Sequence, residues 1–244
     1  MAKEHNGSTE TFLGPFSKNS IIHGDAFNVI TKLPAACIDL VVIDPPYGID
    51  YITGHRKYPS DVAVPIVGDD PSFWEKWPMF VQELARVMKD DSGAFIFTRW
   101  DQWCNLCVTP LTPQNMIVWD KGNWTAGDLE GNYGYAYELI MFAIKGRPKI
   151  RGRRIWNIWR VPRIPAADLR HPSEKPEKLI QIMVRSMSDP GDLVADFFCG
   201  SGTTPVVADR LDRKFIAVDF VEKYVKMTAE RLAGDRAGRQ LVLL

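Results

Sequence analysis

Asp44-Pro45-Pro46-Tyr47 brings together residue types that suit one chemical task. The tetrapeptide follows the apolar run Ile38-Asp39-Leu40-Val41-Val42-Ile43, so it falls where a buried strand ends in a turn, the edge at which an open α/β sheet keeps its ligands. Two prolines fix φ at about −65° and remove two backbone N–H donors, leaving carbonyl acceptors beside the Asp44 carboxylate and a stackable Tyr47 ring. An exocyclic amino group on a planar base asks for that combination. Its two N–H bonds need two acceptors, Asp44 and the Pro45 carbonyl, and its lone pair becomes nucleophilic as the nitrogen is drawn toward tetrahedral geometry. Tyr47 would hold the ring face, where stacking contributes roughly 1–3 kcal/mol, comparable to the cost of pulling a base from a duplex. On these four residues alone, a structural turn after a strand explains the sequence equally well.

A second constellation is Asp196-Phe197-Phe198-Cys199-Gly200-Ser201-Gly202-Thr203-Thr204, which follows the apolar Leu193–Phe197 and opens a helical pattern through Val206, Val207, Ala208 and Leu211. Glycines there let the backbone approach a ligand at a helix N-terminus. Asp219 ends the next strand, where a nucleotide-binding unit places an acid on ribose hydroxyls. The loop has neither the G-x-G-x-x-G spacing of a dinucleotide site nor the Gly-Lys-Ser/Thr of a phosphate loop. A carboxylate at Asp196 would repel a pyrophosphate but suits a cationic ligand with a free ammonium, such as S-adenosylmethionine.

These residues need a frame. Candidate strands are Ser20–His23, Leu40–Ile43, Ala94–Thr98, Met116–Trp119, Leu139–Ile144, Leu193–Phe197 and Phe215–Val218. Between them, Phe73, Trp77, Phe80, Leu84 and Val87 recur at helical spacing, as do Val221, Tyr224, Val225 and Leu232. A further helix starts near Pro176, carries Leu179, Ile182, Met183 and Met187, and stops at Asp189-Pro190-Gly191. The alternation predicts one α/β domain over 1–244, a mainly parallel sheet with helices on both faces. Residues 48–71 and 120–136 read as loops and 147–170 as a basic segment, all candidates for touching a large substrate.

Composition sets outer limits. With 45% hydrophobic and 25% charged residues in 244, the chain has a core and is neither disordered nor fibrous. No apolar run reaches the length of a membrane span, and the polar start leads to the expectation of a cytoplasmic protein. Net charge is zero, so only the distribution of charge bears on a nucleic-acid partner. Four scattered cysteines, Cys37, Cys104, Cys107 and Cys199, and isolated histidines give neither a disulfide framework nor a metal site, and none is expected.

The ordered set of motifs resembles the amino-group DNA methyltransferases, in the permuted group whose Asp-Pro-Pro-Tyr motif precedes the cofactor glycine loop. Besides the two motifs above, His23-Gly24-Asp25, Trp119-Asp120-Lys121, Glu138 before Leu139-Ile140-Met141-Phe142, and His171-Pro172-Ser173-Glu174-Lys175-Pro176 carry the likeness. Phe197, Cys199 and Ala217 depart from the residues usual in that family. The resemblance implies a circularly permuted Rossmann-like fold of seven strands, with the strands ending at Asp44 and Asp196 side by side. It implies S-adenosylmethionine as cofactor, S-adenosylhomocysteine as product, and no metal. Asp25 with Ala26 would meet the adenine, Asp219 with Phe220 the ribose, and Asp196 with Phe198, Cys199, Gly200, Ser201, Gly202 and Thr203 the methionine part. Ser173 and Lys175 would close over its carboxylate, with His171 leading into that loop. Asp44, Pro45, Pro46 and Tyr47 would be catalytic toward a flipped base in double-stranded DNA, with Asp44 also bordering the cofactor and aspartate at 44 pointing to adenine N6. Cytosine N4 or RNA is the alternative substrate, and a silent DNA-binding regulator the alternative of another class. The family implies a homodimer.

Arg147, Lys149, Arg151, Arg153, Arg154 and Arg160, interleaved with Trp156 and Trp159, are the charge cluster expected of a phosphate-contacting surface, with Lys121 as a further contact. A solvated loop or a dimer contact would show the same composition. Trp100, Trp103, Trp119 and Trp124 are weighed as base-stacking groups, although aromatics after strands are more often core.

Overall fold

The computed structural model describes residues 12–49, 52–53, 64–65, 69–125, 130–131, 133–171 and 173–242. Its strands are β1 (Phe12–Leu13), β2 (Phe16–Ser17), β3 (Ser20–His23), β4 (Ile38–Ile43), β5 (Ile52–Thr53), β6 (Val64–Pro65), β7 (Met88–Thr98), β8 (Thr112–Thr125), β9 (Tyr135–Lys145), β10 (Ile158–Arg160), β11 (Leu193–Asp196) and β12 (Lys214–Asp219). The α-helices are α1 (Ala26–Ile30), α2 (Phe73–Val87), α3 (Glu177–Met187), α4 (Thr203–Arg210) and α5 (Glu222–Val242). Eight strands form one sheet in the order β10-β8-β9-β7-β4-β11-β12-β3, while β1-β2 and β5-β6 are small separate pairs. Within the large sheet β9 is antiparallel to both its neighbours and every other pairing is parallel.

Both faces of this sheet are buried, which is why its central strands read as unbroken apolar runs. In β4, Ile38, Val41 and Ile43 pack toward Trp77, Phe80 and Leu84 of α2, while Leu40 and Val42 pack toward Leu179 and Met183 of α3 and Val207 of α4. Each fully buried side chain of this kind stabilises the fold by about 1.5–3 kcal/mol. The helical spacing read from Phe73 to Val87 is met in full, all five of those residues being buried along α2. Phe197 fills the same core, its ring edge-on to Phe80 at 5.6 Å, which accounts for an aromatic at that departure from the family pattern.

From β4 the chain crosses through α2 to β7 on one side, and from β11 it crosses through α4 to β12 on the other. Because β4 and β11 are neighbours, the crevice between their carboxyl ends is the switch point at which open α/β sheets bind ligands. Asp44 and Asp196 stand on its two sides.

The sheet has eight strands, not seven. The extra strand, β10, lies inside the segment expected to be an irregular basic loop and pairs parallel with β8, Trp159 opposite Trp119. Three residues are too few to show a readable alternation, yet Trp159 is buried against Phe95. Of the loop 120–136, the flanks belong to β8 and β9, with Thr125 paired to Tyr135, and residues 126–129 and 132 lie outside the described residues. Much of the loop 48–71 lies outside them as well. No helix among the described residues is long and apolar enough to cross a membrane.

Candidate active site

Asp44 leaves the end of β4 with both carboxylate oxygens engaged. Tyr47 Oη donates to Oδ1 at 2.7 Å and Lys175 Nζ donates to Oδ2 at 2.6 Å. Lys175 Nζ also lies 3.3 Å from Glu138 Oε2, and Lys121 Nζ lies 2.5 Å from Glu138 Oε1. Two ammoniums and two carboxylates thus alternate in a line behind the turn, with the Lys175 ammonium over the Phe97 ring at 4.8 Å. Burial pushes the Asp44 carboxyl above the ordinary range, with Lys175 pulling against it. Burial would raise Glu138 too, but Lys175 and Lys121 outweigh it and hold its carboxyl below the usual value. Burial alone would depress the Lys175 ammonium, yet Asp44 and Glu138 raise it, so it stays charged. Tyr47 is pushed well up by burial and by Asp44 beside it, so its phenol keeps its proton and donates.

Two expected roles look different in this geometry. Tyr47, expected on a ring face, has its hydroxyl on Asp44 and its carbonyl accepting from Trp74 Nε1 at 2.9 Å. Lys175, expected at a cofactor carboxylate, is bonded to the acid of the turn. Glu138 was noticed only as part of a family pattern. The signal for its role was a lone acid within the apolar Tyr135–Lys145, and only the register that sets it opposite Trp119 shows where it points.

Across the switch point, the glycine loop is built by its neighbours. Gly202 enters α4 at φ +76, and a Cβ there would sit 2.5 Å from Thr228 Cγ2 of α5. Thr228 Oγ1 donates to the Gly200 carbonyl at 3.0 Å, and Arg231 donates to the Ser201 carbonyl at 3.0 Å and to Thr203 Oγ1 at 3.1 Å. Neither Thr228 nor Arg231 was picked out from the sequence, because nothing local links α5 to the loop. Asp219 secures the other side: Gly200 N donates to Oδ2 at 2.8 Å and Val221 N to Oδ1 at 2.9 Å. Cys199 is buried, and burial pushes its thiol well up, so it is packing rather than a nucleophile.

Asp196 closes β11, accepting from Phe198 N at 3.1 Å; burial pushes its carboxyl up to about 7, with Asp44 and Asp219 adding to the rise. His171 sits over Gly200, edge-on to Tyr224 at 4.4 Å, and accepts from Ser173 N through Nδ1 at 3.1 Å. Burial and then Lys175 push it down to about 4, so it is neutral at pH 7. Asp25 caps α1, accepting from Phe27 N at 2.9 Å, and Ala26 is buried beside it. Phe220 leaves β12 with its ring 60% exposed, its carbonyl accepting from His23 Nε2 at 3.0 Å.

The ends of β3, β12 and β11 therefore set Asp25, Asp219 and Asp196 along one edge, with an exposed ring at one end and a glycine loop at the other. Asp196 and Asp219 have no ion-pair partner among the described residues. A row of uncompensated buried carboxylates favours a cation and disfavours a phosphate, so the arrangement fits a ligand carrying positive charge beside a nucleoside. Among the described residues no group of three or more His, Cys, Asp or Glu could hold a metal ion.

The basic segment is split between the two edges of the sheet. Because β9 runs antiparallel, it begins beside the Asp44 turn and ends far from it. Arg147 N donates to Asp91 at 2.7 Å, and Arg151 pairs with Asp189 at 2.7 Å, ahead of β11. Arg147, Lys149 and Arg151, with Arg153 and Arg154 following, thus leave from the edge opposite Asp44. Arg160 is on the Asp44 edge, paired with Asp120 at 2.8 Å. Lys121, also expected at a phosphate, is 9% exposed and committed to Glu138. Trp119 and Trp159 are core, whereas Trp100 and Trp103, half exposed, follow β7 on the Asp44 edge.

Residues 38–230 match a family model described as DNA methylase, of the N6/N4 class. The chain is 26% identical over 253 residues to the DNA adenine methyltransferase YhdJ of Escherichia coli (strain K12), covering 87% of this chain and 82% of that protein. It is 27% identical to the type II methyltransferase M2.DpnII of Streptococcus pneumoniae, covering 90% and 92%. Among solved structures, M1.HpyAVI in complex with SAM superposes with a TM-score of 0.62 at 21% identity, over 87% of this chain and 98% of that one. The cytosine-N4-specific PvuII DNA methyltransferase superposes with a TM-score of 0.68 at 19% identity, over 87% and 86%.

Proposed function

Since the chain belongs to the N6/N4 DNA methylase family, we propose that it methylates adenine at N6 in double-stranded DNA, acting on a base turned out of the helix. The observation that carries this reading is Asp44, a half-buried carboxylate followed by the Pro45 carbonyl, facing Asp196 and the glycine loop across the switch point. S-adenosylmethionine, the family's cofactor, supplies an electrophilic methyl group on a sulfonium.

The chain's own residues do the rest. Asp219, Asp25 and the exposed Phe220 would hold the nucleoside end, and Asp196 with residues 198–203 the cationic end. Asp44 and the Pro45 carbonyl accept the two amine N–H bonds, which aligns the nitrogen lone pair and withdraws it from the ring. Tyr47 follows in the same turn and would flank the ring after releasing Asp44. Positioning of this kind supplies most of the rate, because the attacking amine needs no separate strong base: it becomes acidic once methylated. An aspartate at 44 and a similar protein named a DNA adenine methyltransferase favour adenine over cytosine. Mass spectrometry of nucleosides from incubated DNA should show N6-methyladenine. N4-methylcytosine instead would overturn the choice of base, and binding without any label transfer would leave only a DNA-binding regulator.

The split of the basic segment makes a second test. Neutralising Arg160 should flatten the logarithmic salt dependence of DNA binding by about 0.9, the contribution of one phosphate contact to the slope. Neutralising Lys149, Arg153 and Arg154 should leave the slope unchanged. The reverse pattern would move the DNA to the far edge of the sheet.

A further inference from the structure

We propose that Lys175 is a positioning residue that changes partner during the reaction, holding Asp44 while the site is empty and passing to Glu138 when the target amine arrives. The inference rests on the methyl-transfer reading above. It begins from hydrogen-bond capacity at the turn. Asp44 already accepts from Tyr47 on one oxygen and from Lys175 on the other. A charge-assisted bond at 2.6 Å draws electron density from the carboxylate that must polarise an amine, and it fills the direction from which an N–H would approach.

The alternative partner is in place. Glu138 Oε2 is buried, lies 3.3 Å from Lys175 Nζ and makes no hydrogen bond of good geometry. Its other oxygen is fixed by Lys121, itself buried, so Glu138 is held where it is. A buried acceptor that has an ion-pair contact but no well-aligned donor is under-satisfied, so the free protein carries an incentive for the ammonium to move over. The backbone of Lys175 is anchored: its carbonyl accepts from Thr203 Oγ1 at 3.2 Å, and the preceding Glu174 is paired with Arg231 at 3.0 Å. Only the side chain needs to swing. With two ammoniums and two carboxylates in the line, the swing changes no net charge, and no proton is transferred because Lys175 stays protonated between two acids. The contact with Thr203 also joins this lysine to the glycine loop, so a filled cofactor site and a released Asp44 share one backbone anchor.

The test compares wild type, Glu138→Gln, Lys175→Met and the double variant in single-turnover label transfer to duplex DNA, with cofactor affinity by calorimetry and thermal midpoints alongside. Glu138→Gln removes the destination, traps Lys175 on Asp44 and should slow transfer at least tenfold with cofactor affinity within about threefold of wild type. The double variant restores charge balance and uncovers Asp44, so it should be several-fold faster than Glu138→Gln alone. Lys175→Met should shift the acid limb of the pH–rate profile upward, because Asp44 loses the cation that lowers its carboxyl. Glu138→Asp, charged but shorter, should fall between wild type and Glu138→Gln if the larger change disturbs folding. A double variant no faster than Glu138→Gln overturns the proposal while leaving the enzymatic reading intact; a wild-type protein that transfers no label overturns the reading itself.

Discussion

Asp44→Ala lowers the rate of methyl transfer by at least about a thousandfold, the scale seen when a preorganised polar group that acts on the transition state is removed, about 4 kcal/mol. The substitution deletes the carboxylate acceptor of the turn, leaving the amine one carbonyl, that of Pro45, and a lone pair still delocalised into the ring. It also frees Lys175, which is then bonded to Glu138 alone, and unpairs the Tyr47 hydroxyl. The Lys175 charge, no longer neutralised by Asp44, opposes the formation of a further cation at nitrogen. Cofactor affinity, measured by calorimetry, should change far less than the rate, because the glycine loop and Asp219 make no hydrogen bond to Asp44. Label transfer at saturating cofactor and DNA is the measurement, and turnover like wild type would sink the proposed chemistry.

How much of this was legible in the chain depends on which contacts are local. Asp44, Asp196 and Asp219 each close an apolar run, so the alternation of strands and helices is enough to put all three at one edge of a parallel sheet. The apolar stripe of α2 and the start of α3 after Pro176 were likewise readable, because periodicity of 3.6 and a proline before the first turn are local signals. Glu138 and Lys121 are different. They meet only because β8 and β9 pair with Trp119 opposite Glu138, a register that no residue announces. The basic segment does not stay together for a related reason: the direction of β9 decides which edge receives its charges, and a three-residue strand then carries Arg160 to the Asp44 edge. Thr228 and Arg231 could be found only once α5 was known to lie against the glycine loop.

That packing makes Asp219 the position where cofactor binding is most exposed to a single change. Asp219→Ala is expected to weaken S-adenosylmethionine at least about a hundredfold by calorimetry, with the rate at saturating cofactor reduced much less. Two effects add. The carboxylate proposed to take the ribose is gone, worth roughly 1.5–3 kcal/mol for charge-assisted hydrogen bonds. The N–H groups of Gly200 and Val221, both now bonded to Asp219, lose their acceptor, so the loop must find a new conformation before it can bind anything. Gly200 is held from its other side by Thr228, which keeps the loss local and the protein folded. Asp219→Asn retains one acceptor oxygen but turns an N–H toward one of the two backbone donors, so it should fall between wild type and Asp219→Ala. The contrast with Asp44→Ala separates the two halves of the crevice: one variant binds cofactor and does not react, the other reacts once enough cofactor is supplied. Equal losses of affinity in both variants would mean that the two strand ends form one binding unit, and the division of labour between Asp44 and Asp219 would have to be abandoned.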